Sequence, residues 1–204
     1  MIVIASLRQT VILILVCLFT PCYAKVFDLV ILGDSVSSGY GVSPKENWVN
    51  LTLSELPCKA KSLNLSVQGA TSSDGITTLN DFYQKHQAKV IVIELGGNDA
   101  LRGQSLTQLY KNLTQMITVA EAQKSKVVLV GVDMPPNYGN FFRQRLKTTY
   151  DHSASSATVD NVFLDFPNNP QLIQEDGIHP NSLGHQQISK AMNPVLQALI
   201  CTSN

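Results

Sequence analysis

Two runs of branched apolar residues, Val-Ile-Val-Ile-Glu-Leu at 90–95 and Val-Val-Leu-Val-Gly-Val at 127–132, narrow what this chain can fold into. Both have the length of a strand, and neither alternates apolar with polar residues. Strands of that kind are buried on both faces, as in a parallel sheet covered by helices on each side. A similar run at 26–32 ends at Gly33, and a weaker one at 62–67 ends near Gly69. The two strongest runs stop before Gly96-Gly97 and before Pro135-Pro136. Helical spacing fills the intervals. Residues 71–86 place Ile76, Leu79, Phe82 and Tyr83 on one face, and 106–120 place Leu106, Leu109, Leu113, Met116 and Ile117 on another. Residues 182–200 do the same with Ile188, Met192, Val195, Leu196 and Leu199, although Pro194 is expected to bend or break that helix. Strand and helix in alternation predict an α/β fold, a three-layer α/β/α sandwich on a mostly parallel sheet. Ligands bind such sheets beyond the carboxyl ends of the strands, where the polar motifs of this chain fall.

The length of 204 residues fits one domain, and 44% apolar against 15% charged residues is enough to fill a core. Fifteen basic residues balance fifteen acidic ones, with no run of Lys or Arg to track a phosphate backbone or an anionic membrane. No nucleic-acid or membrane-surface partner is expected. Segment 1–24 reads differently. It carries one charge, Arg8, then an apolar stretch at 11–19, then Pro21, with Cys22 and Ala24 where a signal peptidase would read small residues. A helix needs roughly 20 apolar residues to span a bilayer, so the stretch fits a cleaved secretory signal. The alternative is an uncleaved anchor, since residues 1–5 are also apolar. On the first reading the mature protein is a single domain, 25–204, outside the cytoplasm. Cys17 and Cys22 leave with the signal, while Cys58 and Cys201 stay where an oxidising compartment would let them pair. Two separate buried thiols are the alternative, because sequence does not give their distance.

Four short segments could carry chemistry. Ser35 follows the first strand, where a turn into a helix would expose its hydroxyl; alone, it reads better as a helix cap. A serine becomes a nucleophile only with a base in reach. Asp176 and His179 offer one. Gly177 permits a tight turn between them, Pro180 disfavours helix at His179, and the carboxylate could bond one ring nitrogen and leave the other facing Ser35. A metal site of Asp176, His179 and His185 is a rival, which no further His or Cys cluster completes. Acyl transfer also needs donors for an oxyanion. The backbones of Ser35 and Gly69 and the side chain of Asn98 are candidates, although Gly69 and Asn98 would also suit ordinary turns. Asp34 is expected to fix the turn and not to move protons.

Taken together, Gly33-Asp34-Ser35-Val36-Ser37-Ser38-Gly39-Tyr40, Gly69-Ala70-Thr71-Ser72, Glu94-Leu95-Gly96-Gly97-Asn98-Asp99 and Glu175-Asp176-Gly177-Ile178-His179-Pro180 resemble the four motifs of the SGNH, or GDSL-type, hydrolases. The likeness covers nearly all of 25–204. Leu95 through Gly103, together with Pro136-Asn137-Tyr138-Gly139, narrow it to the bacterial periplasmic branch with thioesterase, arylesterase and lysophospholipase activity. The resemblance implies a flavodoxin-like SGNH hydrolase fold, no metal and no organic cofactor. It implies catalytic Ser35, His179 and Asp176 as nucleophile, base and orienter, and an oxyanion hole from Ser35, Gly69 and Asn98. The expected enzyme cleaves small-molecule acyl esters, thioesters or lysolipids in the periplasm or outside the cell, as a monomer with no obligate protein partner. A loop at 100–104 is expected to close over the acyl chain. An acyltransferase or acyl-binding protein on the same fold is the alternative.

Overall fold

A computed structural model describes residues 24–157 and 159–202; the expected signal segment lies outside them, apart from Ala24. The chain runs β1 (Lys25–Gly33), α1 (Ser35–Ser38), α2 (Trp48–Glu55), β2 (Ser62–Asn64), α3 (Ser72–Tyr83), β3 (His86–Glu94), α4 (Gly97–Leu101), α5 (Leu106–Ala122), β4 (Lys126–Val132), α6 (Asn140–Ser155), β5 (Asp160–Leu164) and α7 (Ser182–Ile200). The five strands form one sheet in the order β2-β1-β3-β4-β5, and every pairing is parallel.

The continuous apolar runs are explained by the two faces. Val30, Leu32, Ile91, Ile93, Val127 and Leu129 pack on one side with Leu79, Leu113, Met116 and Tyr150 of α3, α5 and α6. Leu29, Ile31, Val90, Val92, Val128 and Val130 pack on the other with Trp48, Ile188, Met192 and Leu196 of α2 and α7. The architecture is therefore the expected three-layer sandwich. From β1 the chain goes first to one neighbour, β2, and then to the other, β3. That reversal opens a crevice at the carboxyl ends of β1 and β3.

Several elements differ from the sequence reading. The helix expected at 71–86 ends at Tyr83, and β3 begins at His86, whose ring packs against Phe27 and Phe82. Its start is sharp because Thr71 and Asp74 form a reciprocal capping box. Pro194 lies inside α7 without ending it. Both Pro194 and Lys190 are exposed, so water can satisfy the carbonyl that the missing N–H leaves unpaired. Sequence reading passed over α2, α6 and the edge strand β5. Helix α6 buries little beyond Leu146, Tyr150, Ser153 and Ala154, too thin a stripe to register as amphipathic. Cys58 and Cys201 are joined by a disulfide that ties the end of α2 to the end of α7, with Cα atoms 5.7 Å apart. On the chain-entropy account, closing a loop this long removes about 5 kcal/mol of freedom from the unfolded chain.

His185 is fully buried on α7, and its Nδ1 accepts the backbone N–H of Trp48 at 3.2 Å. Burial pushes its pKa down to about 4. The unfolded chain binds this proton below about pH 6.5 and the folded chain only below about 4, so stability falls as pH drops through that window. Chemical denaturation should show wild type losing about 2 kcal/mol more between pH 7 and pH 4.5 than His185→Gln does.

Candidate active site

Gly33 ends β1 beside Glu94 at the end of β3, and the chain then turns directly into α1. Asp34, not Ser35, caps that helix: its Oδ1 accepts the Val36 N–H at 3.0 Å. Ser35 is thus the first helical residue, and its hydroxyl is free for another partner. His179 Nε2 lies 2.9 Å from Ser35 Oγ, and His179 Nδ1 lies 2.6 Å from Asp176 Oδ2. The other carboxylate oxygen of Asp176 accepts the backbone N–H groups of Ile178 and His179 at 2.9 and 3.0 Å. Partial burial works to raise the Asp176 pKa, but those donors and the imidazole outweigh it and hold the carboxyl below its usual range. Gly177, at φ 73°, makes the tight turn that brings its two neighbours round. With Nδ1–H donating to a carboxylate, Nε2 is left as an acceptor facing the serine hydroxyl.

The other expected residues come to the same place. Among the described residues, the backbone N–H groups of Ser35 and Gly69 donate to no protein acceptor. Asn98 sits in the first turn of α4, behind Gly96, whose φ of 117° and contact with Tyr150 and Leu109 leave no room for a side chain. The Asn98 amide does not point freely into the crevice. Its Nδ2 donates to Asp34 Oδ2 at 3.0 Å and to the Ala70 carbonyl at 3.1 Å. Residues 100–104 are the end of α4 and a turn, and Arg102 donates to the Gly69 carbonyl at 2.9 Å. A small cavity of about 30 Å³ adjoins Ser35, walled by Asn98, Leu101, Met134, Ile178 and His179. Asp133, just before Met134, is held by Arg143 and Asn168.

Two carboxyl groups close to Ser35 were not expected to be linked. Glu94, the lone acid in its strand, accepts the Ser37 hydroxyl at 2.7 Å and a long contact from the Asp34 N–H at 3.4 Å. Glu94 and Asp34 are 1% and 3% exposed. Burial raises the Asp34 pKa to about 6 against the Val36 N–H, His179 and Asn98, which favour its charge. Burial, then the neighbouring Asp34 charge, raises Glu94 well above the ordinary range. The sequence signal for Glu94 was its isolation among Val, Ile and Leu. Asp99 faces elsewhere, receiving the Ser72 N–H and hydroxyl at 2.8 and 2.5 Å and so locking α3 to α4. His185 does not join Asp176 and His179: it is buried against Trp48. No group of three or more His, Cys, Asp or Glu suited to a metal occurs among the described residues.

Residues 31–187 match the family model described as the GDSL-like Lipase/Acylhydrolase family. The chain is 33% identical over 183 residues to Esterase TesA of Pseudomonas aeruginosa, covering 87% of this chain and 91% of that one. It is 33% identical over 184 residues to the Thioesterase 1/protease 1/lysophospholipase L1 of Escherichia coli K12, covering 87% and 86%. A crystal structure of TesA superposes with a TM-score of 0.80 at 31% identity, covering 86% of this chain and 99% of that one.

The Asp34 carboxyl serves two donors at once, so its removal should be felt in stability. Asp34→Ala is expected to lower the unfolding free energy by about 2 kcal/mol, and Asp34→Asn by less, as measured by urea denaturation.

Proposed function

The chain belongs to the GDSL-like lipase/acylhydrolase family and is a carboxylic ester hydrolase of the esterase, thioesterase and lysophospholipase type, and from that premise we propose that it cleaves acyl esters and thioesters through an acyl-enzyme on Ser35. The observation that carries the mechanism is the unbroken hydrogen-bond chain from Asp176 through His179 to Ser35.

In the proposed cycle His179 Nε2 takes the Ser35 proton while Oγ attacks the substrate carbonyl. The carbonyl π electrons move to oxygen, and the resulting oxyanion is met by the N–H groups of Ser35 and Gly69. Asn98 is the third donor, and to serve it must share or release an N–H now given to Asp34 or Ala70. Collapse of the tetrahedral intermediate expels the alcohol or thiol, protonated by His179. His179 then takes a proton from water as it attacks the acyl carbon; the Oγ–acyl bond breaks, Ser35 Oγ takes that proton back from His179, and the acid is released. Asp176, kept ionised, holds the ring with Nε2 toward Ser35 and stabilises the imidazolium. Buried Asp34 and Glu94 take no proton in this scheme; they hold the turn that presents Ser35. The walls offered by Leu101, Met134 and Ile178 suit an acyl chain, and lipid esters such as lysophospholipids are the proposed substrates. The Cys58–Cys201 disulfide fits an exported protein, and we place it in the periplasm or outside the cell, with residues 1–24 as the signal.

A fluorophosphonate probe should label the wild type with chelator present and should not label Ser35→Ala. A wild type that does not label rejects the acyl-enzyme, and labelling without turnover of p-nitrophenyl esters makes acyl transfer to another acceptor the better reading. Asn98→Ala should keep the fold by circular dichroism and lose about 10²–10³ in kcat; an unchanged kcat removes Asn98 from the oxyanion site.

A further inference from the structure

His179 has a neighbour that the proposed mechanism leaves unused. The Tyr40 ring lies over the imidazole in a tilted stack, with centroids 4.5 Å apart and 44° between planes. The Tyr40 backbone is held on both sides. The Tyr40 N–H donates to the Ser35 carbonyl at 3.0 Å, which fixes it just past the helix that carries the nucleophile. The Tyr40 carbonyl accepts Gln174 Nε2 at 2.9 Å. The same Gln174 Nε2 donates to the Pro180 carbonyl at 2.9 Å, and the Gln174 backbone N–H donates to the His179 carbonyl at 2.8 Å. Gln174 thus joins the segment bearing Ser35 to the loop bearing His179, and Tyr40 closes over the ring between them. The Tyr40 hydroxyl makes no hydrogen bond to protein among the described residues, and 43% of the residue is exposed. An aromatic ring with an unbonded hydroxyl at the surface does not owe its place to core packing.

We propose that Tyr40 is a positioning residue that holds His179 toward Ser35 and favours the imidazolium formed when Ser35 gives up its proton; this rests on the acyl-enzyme reading above. A cation within about 6 Å of an aromatic centroid is drawn to the negative π face, whereas a neutral imidazole gains much less. In the proposed cycle the His179 imidazole becomes cationic as Ser35 Oγ bonds to the carbonyl carbon. The attraction therefore strengthens toward the transition state, which raises kcat and leaves KM alone. The other ionisable groups acting on His179 are Asp176 at Nδ1 and, from beneath, Asp34 with Glu94 behind it. Substitution at Tyr40 removes none of them, so a change in titration reports the ring itself.

The test compares Tyr40→Phe and Tyr40→Leu with wild type on a p-nitrophenyl ester across pH, with rates normalised to sites labelled by fluorophosphonate. Tyr40→Phe should stay within about twofold of wild type. Tyr40→Leu should lose about tenfold in kcat with KM within about twofold, and the acidic limb of its kcat/KM profile should move down by about half a pH unit. An unmoved limb, a loss confined to KM, or a Tyr40→Phe as impaired as Tyr40→Leu overturns the inference. Should Tyr40→Leu not fold, phenylalanines of increasing ring fluorination at position 40 keep the shape and weaken the π face. The inference requires kcat to fall in step, and a flat response overturns it. A wild type that does not label rejects the acyl-enzyme reading and this inference with it; labelled sites with an unmoved profile reject the role of Tyr40 alone.

Discussion

The buried carboxyl of Asp34 is the point on which the site is hung. One oxygen caps α1 through the Val36 N–H, and the other receives the Asn98 amide, so the ends of β1 and β3 are tied across the crevice between them. Glu94 completes the tie by receiving Ser37 from below. Taking two carboxyl groups out of water is costly, and the raised pKa values record that cost. What the chain gains is direction. A helix that begins at Ser35 under a fixed cap leaves the Ser35 hydroxyl and backbone N–H outside the cap's own hydrogen bond.

The Asp176–His179 pair is built on different principles. Ser35 and Asn98 stand on strand ends whose register is set by the sheet, while Asp176 and His179 occupy a loop with no strand beneath it. That loop is braced by small contacts: the Ile173–Pro180 bridge, the Gln174 hydrogen bonds to both flanks, and Asn181 donating to the Gln171 and Ile173 carbonyls before capping α7. A loop held by polar contacts yields more easily than a sheet.

Much of the fold was legible because a parallel sheet buried on both faces leaves little freedom in composition. The β-branched runs of β1, β3 and β4, and the wide apolar stripes of α3, α5 and α7, declare themselves. Strand β5 did not, since an edge strand beginning Asp160-Asn161 is half solvated and reads as loop. Helix α6 did not, since four inward residues among charged and polar ones leave almost no periodic signal. Pro194 does not break α7, because the cost of a proline in a helix depends on whether water reaches the orphaned carbonyl, and that is a property of the face it lands on.

In the site, the motifs themselves named Ser35, Gly69, Asn98, Asp176 and His179, because each residue type is tied to a chemical task and each stands at a strand end or turn. Local spacing also determined that Asp176 and His179 could meet, three residues apart around a glycine. The rest was decided by residues far apart in the chain. Whether His179 reached Ser35, whether Asn98 met Asp34, whether Tyr40 covered the imidazole and whether Cys58 met Cys201 all depend on which strand ends and loops become neighbours. Sequence carries hydrophobic period and turn chemistry because these are local. The pairing of polar groups is not local: it follows from strand order and register, which exist only once the sheet has formed.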